Sequence, residues 1–368
     1  MSLAHCGNGL CADLYSTIAI MDFGDYDSSV YDNYTYMEDD NETTIQESSS
    51  LPITGCFDSI ICIALIITNV VIFILGFCGN AVVIWIAGFK MNKSVNTTWY
   101  LSLAISDFIF CACLPFGITY LPMGEWIFGL VMCKLTSFVM FLNMFSSIFL
   151  LVVISADRCV SVAFPVWAQN QRTVRKASAV VVLAWAMSIT LSMPSMVFRD
   201  VSDPRGKVTC VNNYTTYRHS HKYVAWSRLL GGFVVPFLII IFCYSVIILK
   251  LTKNKMTKST KPFKVMSALI ATFFICWLPY HIFILLELNP QQFDVEILTI
   301  GLQVGTTIAT ANSFLNPFLY VFMGNDFKQK FKSSLLNKME NAMGEDGRTL
   351  SRYLSRSSSY DARASTHI

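Results

Sequence analysis

Charge is scarce in this chain. Asp, Glu, Lys and Arg make up 14% of its 368 residues, against about a quarter in a soluble domain. Hydrophobic residues make up 54%, and the mean hydropathy is +0.51. This deficit points to lipid as the solvent. Lys and Arg are absent from residues 1–58, which hold eleven Asp or Glu. No basic stretch followed by a short apolar core opens the chain, so no cleavable signal is expected and the first apolar span acts as the insertion signal. Internal repeats and strings of intramembrane charge are also lacking, which argues against a transporter or channel. With no metal-ligand cluster, nucleophile–base pair or phosphate loop, neither enzymatic chemistry nor a nucleic-acid partner is expected.

Long apolar runs are what the chain has in abundance. A bilayer core needs about 20 mostly apolar helical residues to cross it, and seven segments qualify: 59–88, 95–121, 131–156, 177–198, 224–249, 263–286 and 297–322. Backbone groups in lipid must be satisfied within the segment, so each run is read as a helix. The expected fold is an all-α seven-helix membrane bundle. Cations collect on alternate loops: Lys90 and Lys93, then Arg158, Arg172, Arg175 and Lys176, then six lysines from Lys250 to Lys264, then Lys328, Lys330, Lys332 and Lys338. The positive-inside bias therefore places the C-terminus in the cytoplasm and the acidic N-terminus outside a plasma-membrane protein. The cations of the 199–223 loop run against that rule without reversing its sum.

The sequons Asn33-Tyr-Thr, Asn41-Glu-Thr and Asn213-Tyr-Thr fall on the outer side and are candidate glycosylation sites. Asn92 and Asn96 match the same pattern on the inner side and are expected to stay unmodified. Most of the twelve cysteines lie in spans, where a small apolar thiol needs no further role. Cys133 and Cys210 both face the oxidising side, so a disulfide between them is expected. The pairing of Cys6, Cys11 and Cys56 stays open.

Polar residues inside lipid are costly and tend to mark function. Here they come as Gly79-Asn80 in the first span, Leu103-Ala-Ile-Ser-Asp107 in the second and Asp157-Arg158-Cys159 closing the third. Trp185 follows in the fourth, Pro236 with Tyr244 in the fifth, Cys276-Trp277-Leu-Pro279 in the sixth and Asn316-Pro317-Phe-Leu-Tyr320 in the last. In that order the set resembles the rhodopsin-like G-protein-coupled receptors over about residues 58–335. An unpartnered Asp107 at mid-helix would cost about 2.5–3.5 kcal/mol on insertion scales, so it should face the bundle interior. Asn80, Asn143, Ser147, Asn312, Ser313 and Asn316 are its candidate partners. The resemblance implies that this set holds an allosteric sodium ion on Asp107, with Asp107, Asn143 and Ser147 at the family's positions; the blander alternative is a buried polar network with no ion. It also implies that Arg158 is released from Asp157 on activation to meet a G protein beside Tyr244 and Tyr320, while Trp277, Pro279 and Pro317 provide the pivoting helices. Asp-Arg-Cys replaces the usual Asp-Arg-Tyr, a variant also found among chemoattractant receptors.

Two ligand classes are excluded by position. Eighteen residues before Arg158 lies apolar Met140, where an amine receptor needs a carboxylate, and Thr310 stands where a retinal protein needs Lys. The positive signal is Arg228, eight residues before Pro236: facing inward it suits a ligand carboxylate, facing outward it is an interfacial arginine. Arg199 is a candidate second clamp, Glu287 a candidate acceptor for a polar group, and Met140, Phe141 and Tyr280 an apolar pocket.

Trp126-Ile-Phe-Gly, Pro165-Val-Trp-Ala-Gln-Asn-Gln-Arg and Pro194-Ser-Met-Val-Phe-Arg-Asp resemble the formyl-peptide, anaphylatoxin and chemerin receptor branch. Val197-Phe-Arg-Asp and Ser227-Arg228-Leu-Leu-Gly-Gly-Phe look most like its chemerin receptors. Phe141 stands where a formyl-peptide receptor would carry Asp. The resemblance implies a chemerin-type peptide or protein ligand ending in a free carboxylate. It further implies an inhibitory G protein, receptor kinases and arrestin as partners, and a role in leukocyte chemotaxis and inflammation. Tyrosines interleaved with acids over residues 25–40 fit either a sulfated ligand-capturing tail or a solvated one within the outer segment 1–58. After the bundle (59–322), Phe327, Phe331 and Leu335 form one face of an expected amphipathic helix 8 over 323–340. The Arg- and Ser-rich tail 341–368 is a candidate for phosphorylation.

Overall fold

A computed structural model describes residues 60–203, 206–214, 220–253, 261–289 and 292–323, with the side chains at 261–265, 295–296 and 320–323 outside that description. Seven long helices run through it: α1 Ile60–Lys90, α2 Val95–Met123, α3 Gly129–Ala163, α4 Val174–Phe198, α5 Ser220–Lys253, α6 Lys261–Glu287 and α7 Val295–Met323. Local chemistry sets their limits. Ser94 caps α2 by accepting from the Thr97 amide at 3.1 Å. Gly124 ends that helix in the left-handed conformation, φ 61°. In α5 the turn Leu230–Val234 is widened to a π turn, just before Pro236, whose missing N–H already breaks the regular ladder.

The helices pack as a bundle: α1 on α2 and α7, α7 on α6, and α3 in the middle against α2, α4 and α5. Every side chain from Val139 to Ile148 of α3 is buried. Large apolar residues such as Val182, Phe242 and Ile275 are exposed on the outer faces, whereas Asn80, Asp107, Asn143 and Asn312 are buried within. That inversion is what a lipid solvent requires. Among the described residues six helices are apolar enough to cross a membrane on composition alone. The seventh, α7, is not among them because Thr306, Thr310, Asn312, Ser313 and Asn316 give it a polar face, buried against the bundle. Gly305 lets α7 lie directly on α6 beside Pro279: a Cβ there would sit 3.0 Å from the Tyr280 backbone nitrogen.

Two elements were absent from the expected pattern. Arg199–Ser202 (β1) and Thr209–Asn212 (β2) pair antiparallel, Arg199 opposite Asn212. A short helix, Pro165–Gln171, follows α3. The expected bridge between Cys133 and Cys210 is present, Cα–Cα 5.7 Å, and ties β2 to the head of α3. Cys62, read from sequence as a plain apolar thiol of the first span, is also disulfide-bonded. Asn213 is exposed just past β2, its Nδ2 3.4 Å from Asp200 Oδ2. Asn33, Asn41, Cys6, Cys11, Cys56, the acidic tract, the amphipathic helix over 323–340 and the tail 341–368 lie outside the described residues.

Candidate functional site

Three clusters occupy the bundle, one above another. Toward the disulfide end, Arg228 of α5 points inward and is only 5% exposed, which rules out the outward-facing arginine. Its Nη2 donates to Ser195 Oγ of α4 at 3.1 Å. Its guanidinium carbon lies 3.5 Å from the centroid of the Phe141 ring of α3, a cation–π geometry. Phe141 in turn is 6.3 Å, centroid to centroid, from Tyr280 of α6. Four helices thus converge on one cation. Met140, one residue and so about 100° round the helix from Phe141, turns instead to a cleft with Phe110, Leu114, Trp126 and Ser137. Arg199 is buried where α4 gives way to β1. Glu287, at the end of α6, has a carboxylate oxygen 3.9 Å from His221 Nε2 on α5.

Below this layer, Tyr280 meets Trp277 edge-on at 5.7 Å. His281, buried between Tyr280 at 5.4 Å and Phe233 at 5.1 Å, completes the aromatic floor. Neither Ser195 nor His281 was singled out from sequence. Their signals were adjacency to Pro194, inside a motif already noted, and to Tyr280, already a candidate pocket residue.

Mid-bundle, Asp107 is fully buried. Asn143 Nδ2 donates to its Oδ1 and Asn316 Nδ2 to its Oδ2, each at 2.8 Å. Ser313 Oγ donates to Asn143 Oδ1 at 3.3 Å, and Asn80 Nδ2 reaches the Ser313 carbonyl at 2.9 Å. Ser106, 3.2 Å from Asn143 Nδ2 and 2.5 Å from Ser146 Oγ, extends the network. The sequence-nominated Asn80, Asn143, Ser313 and Asn316 therefore do assemble, from α1, α3 and α7, around the one carboxylate on α2. Ser147 Oγ and both polar atoms of Asn312 are buried with no hydrogen-bond partner among the described residues.

At the far end the pairing departs from expectation. Among the described residues no hydrogen bond or ion pair joins Asp157 to Arg158 directly. Arg172, just past the short helix, takes both carboxylate oxygens of Asp157, Nε to Oδ1 at 2.7 Å and Nη2 to Oδ2 at 2.8 Å. Arg158 Nη2 donates instead to Asn96 Oδ1 at 2.6 Å, an oxygen that Arg172 Nη2 also uses at 2.6 Å. The fork of one guanidinium matches both oxygens of a carboxylate, and here it is Arg172 that occupies both. Asn96 was read only as an inner sequon; its side chain is engaged by these two arginines. Tyr244 OH accepts from Ser267 Oγ at 3.4 Å, facing α6. Tyr320 lies on α7 with its side chain outside the description.

A family profile described as "7 transmembrane receptor (rhodopsin family)" matches residues 79–320. The chain belongs to this family. Pro279 and Pro317 fall inside α6 and α7 of the receptor, where each removes a backbone hydrogen bond. The receptor is 43% identical over 344 residues to Chemerin-like receptor 1 of Sus scrofa, covering 89% of this chain and 93% of the relative. It is 41% identical over 302 residues to Chemerin-like receptor 1 of Homo sapiens, covering 77% and 81%. Formyl peptide receptor-related sequence 1 of Mus musculus is 38% identical over 328 residues, covering 82% and 93%. The family and the fold make it a multi-pass membrane receptor, not an enzyme, with a G protein as its partner.

Proposed function

We propose that the receptor recognises chemerin-like peptides or proteins by their C-terminal carboxylate. The observation that carries this reading is the buried guanidinium of Arg228, stacked on Phe141 within the convergence of α3, α4, α5 and α6. A fork of donors held on an aromatic face suits a carboxylate bidentately. Tyr280, Trp277 and His281 then offer the aromatic wall for an apolar side chain next to it, while Arg199 and Glu287 contribute at the outer rim. The names of the relatives support the same ligand class, and Phe141, standing where the formyl-peptide branch would carry Asp, favours chemerin over formyl peptides. The N-terminus faces outside, glycosylated at Asn33, Asn41 and Asn213. The C-terminus faces the cytoplasm, where receptor kinases phosphorylate the Ser-rich tail for arrestin. Coupling runs through an inhibitory G protein by way of Arg158, Tyr244 and Tyr320.

The test is inhibition of cAMP in cells that display the receptor, on adding a chemerin C-terminal peptide. A potent response abolished by pertussis toxin is expected. Silence with the receptor at the surface would overturn this reading in favour of another peptide or a scavenger that binds without signalling.

The polar core fits a sodium ion as an allosteric partner. Asp107 supplies a buried carboxyl group, and Ser147 Oγ and Asn312 Oδ1 are buried oxygens still lacking a protein partner among the described residues, which is the donor type a hard cation takes. Ion binding there would favour one of the two receptor states. Replacing Asp107 by Asn should then remove the sodium dependence of agonist affinity. An unchanged response to sodium chloride against choline chloride would show that the core is ion-free.

A further inference from the structure

We infer that Arg172 poises the receptor for coupling by keeping Asp157 away from Arg158. This rests on the reading of Arg158 as the residue that meets the G protein. The geometry sets two guanidinium groups against one carboxylate and one amide oxygen. Arg172 takes both oxygens of Asp157 at 2.7 and 2.8 Å, on a carboxylate side chain only 12% exposed. Arg158 keeps the neutral oxygen of Asn96 at 2.6 Å, and shares even that with Arg172.

A hydrogen bond from a cation to a neutral amide oxygen is weaker than one to a carboxylate. The second guanidinium on the same oxygen adds like-charge repulsion. Arg158 is therefore held lightly, in a place where its sequence neighbour could hold it strongly. Release of Arg158 toward a partner costs less than breaking a direct Asp157–Arg158 pair.

The position of Arg172 is fixed by local structure. It is the C-terminal cap residue of the short helix Pro165–Gln171, its amide bonded to the Ala168 carbonyl at 3.0 Å. Pro165 sits at the first turn of that helix, where its fixed φ is favourable. The helix brings Arg172 back to the end of α3, fifteen residues beyond Asp157 in sequence. Asn96, the second residue of α2 and within its capped first turn, supplies the shared acceptor. Arg172 is thus a positioning residue, acting on Arg158 through the carboxylate it occupies and the amide it shares.

The experiment uses the full chain in cell membranes, with nucleotide exchange on the G protein read at equal surface density, both basal and with a chemerin C-terminal peptide. Arg172→Gln frees Asp157 to capture Arg158, and exchange should fall roughly tenfold in agonist potency, the difference between a charged and a neutral acceptor for one guanidinium. Basal exchange should fall in parallel. The double variant Arg172→Gln with Asp157→Asn leaves Arg158 no carboxylate, and exchange should return to the wild-type level or above. A merely structural role for Arg172 predicts that the double variant stays as low as the single one, and that result would overturn the inference. So would unchanged or raised exchange in Arg172→Gln alone. If the peptide evokes nothing from the wild type, the ligand assignment fails, and the basal comparison still decides the role of Arg172.

Discussion

Replacing Arg228 by Ala is expected to lower the affinity for a peptide ending in a free carboxylate by roughly 30- to 1,000-fold, the cost of truncating one partner of a buried hydrogen-bonded charge pair. The same peptide capped as a C-terminal amide should lose less than about tenfold, since it presents no charge to leave unpaired. The difference is large because Arg228 is buried, so little water is at hand to screen the bond or replace it. Arg228→Lys keeps the charge and loses both the fork and the flat stack on Phe141. It should fall between the two. Competition binding with the acid and amide peptides on membranes carrying each variant measures all of this. Equal losses for acid and amide in Arg228→Ala would sink the clamp.

The second large effect is expected at the outer cover of the bundle. The bridge from Cys133 to Cys210 closes a loop of 77 residues, worth about 4 kcal/mol on the chain-entropy estimate, less whatever the membrane already removes. It is also the centre of a small packed cluster. Tyr120 and Trp126 meet at 5.4 Å, Trp126 and Phe128 at 5.2 Å, and both cysteines are fully buried among them. The Trp126 amide holds the Val208 carbonyl at 2.7 Å, fastening the loop that leads into β2. Substituting both cysteines by Ala should therefore release β1 and β2 from α3, strip most of the receptor from the cell surface and lower the melting temperature of the solubilised remainder. A double variant that melts and binds like the wild type would show that packing alone holds the cover.

Membrane spans were legible because lipid makes a simple demand that composition can answer. Their ends were less so. The third span, expected at 131–156, runs Gly129–Ala163, because a helix continues past the apolar core into water, where hydropathy no longer marks it. Asp107 and its partners were legible for the opposite reason: polar residues in lipid stand out, and they have nowhere to go but toward each other. Their detailed bonds were not. Asn80 ends on a backbone carbonyl of α7, and Ser147 and Asn312 stay beside the network without joining its hydrogen bonds.

The clearest departure came at Asp157 and Arg158. Adjacent in sequence, they suggest a pair, yet Arg172 reaches Asp157 through a short helix whose return path depends on tertiary packing. The hairpin of β1 and β2 was missed for a similar reason. Four-residue strands give no periodicity to read, and this one is held by a disulfide. Inward placement of Arg228 was half legible. Spacing from Pro236 set its height in the membrane, and only the three-dimensional contacts with Ser195 and Phe141 set its direction.

The most direct test of the account compares one chemerin C-terminal peptide in two forms, free acid and amide, on the unmodified receptor. The acid form should bind at least about a hundredfold more tightly, as a buried guanidinium that reads a carboxylate requires. Equal affinities would contradict a carboxylate-reading pocket, and with it the ligand class proposed for this receptor.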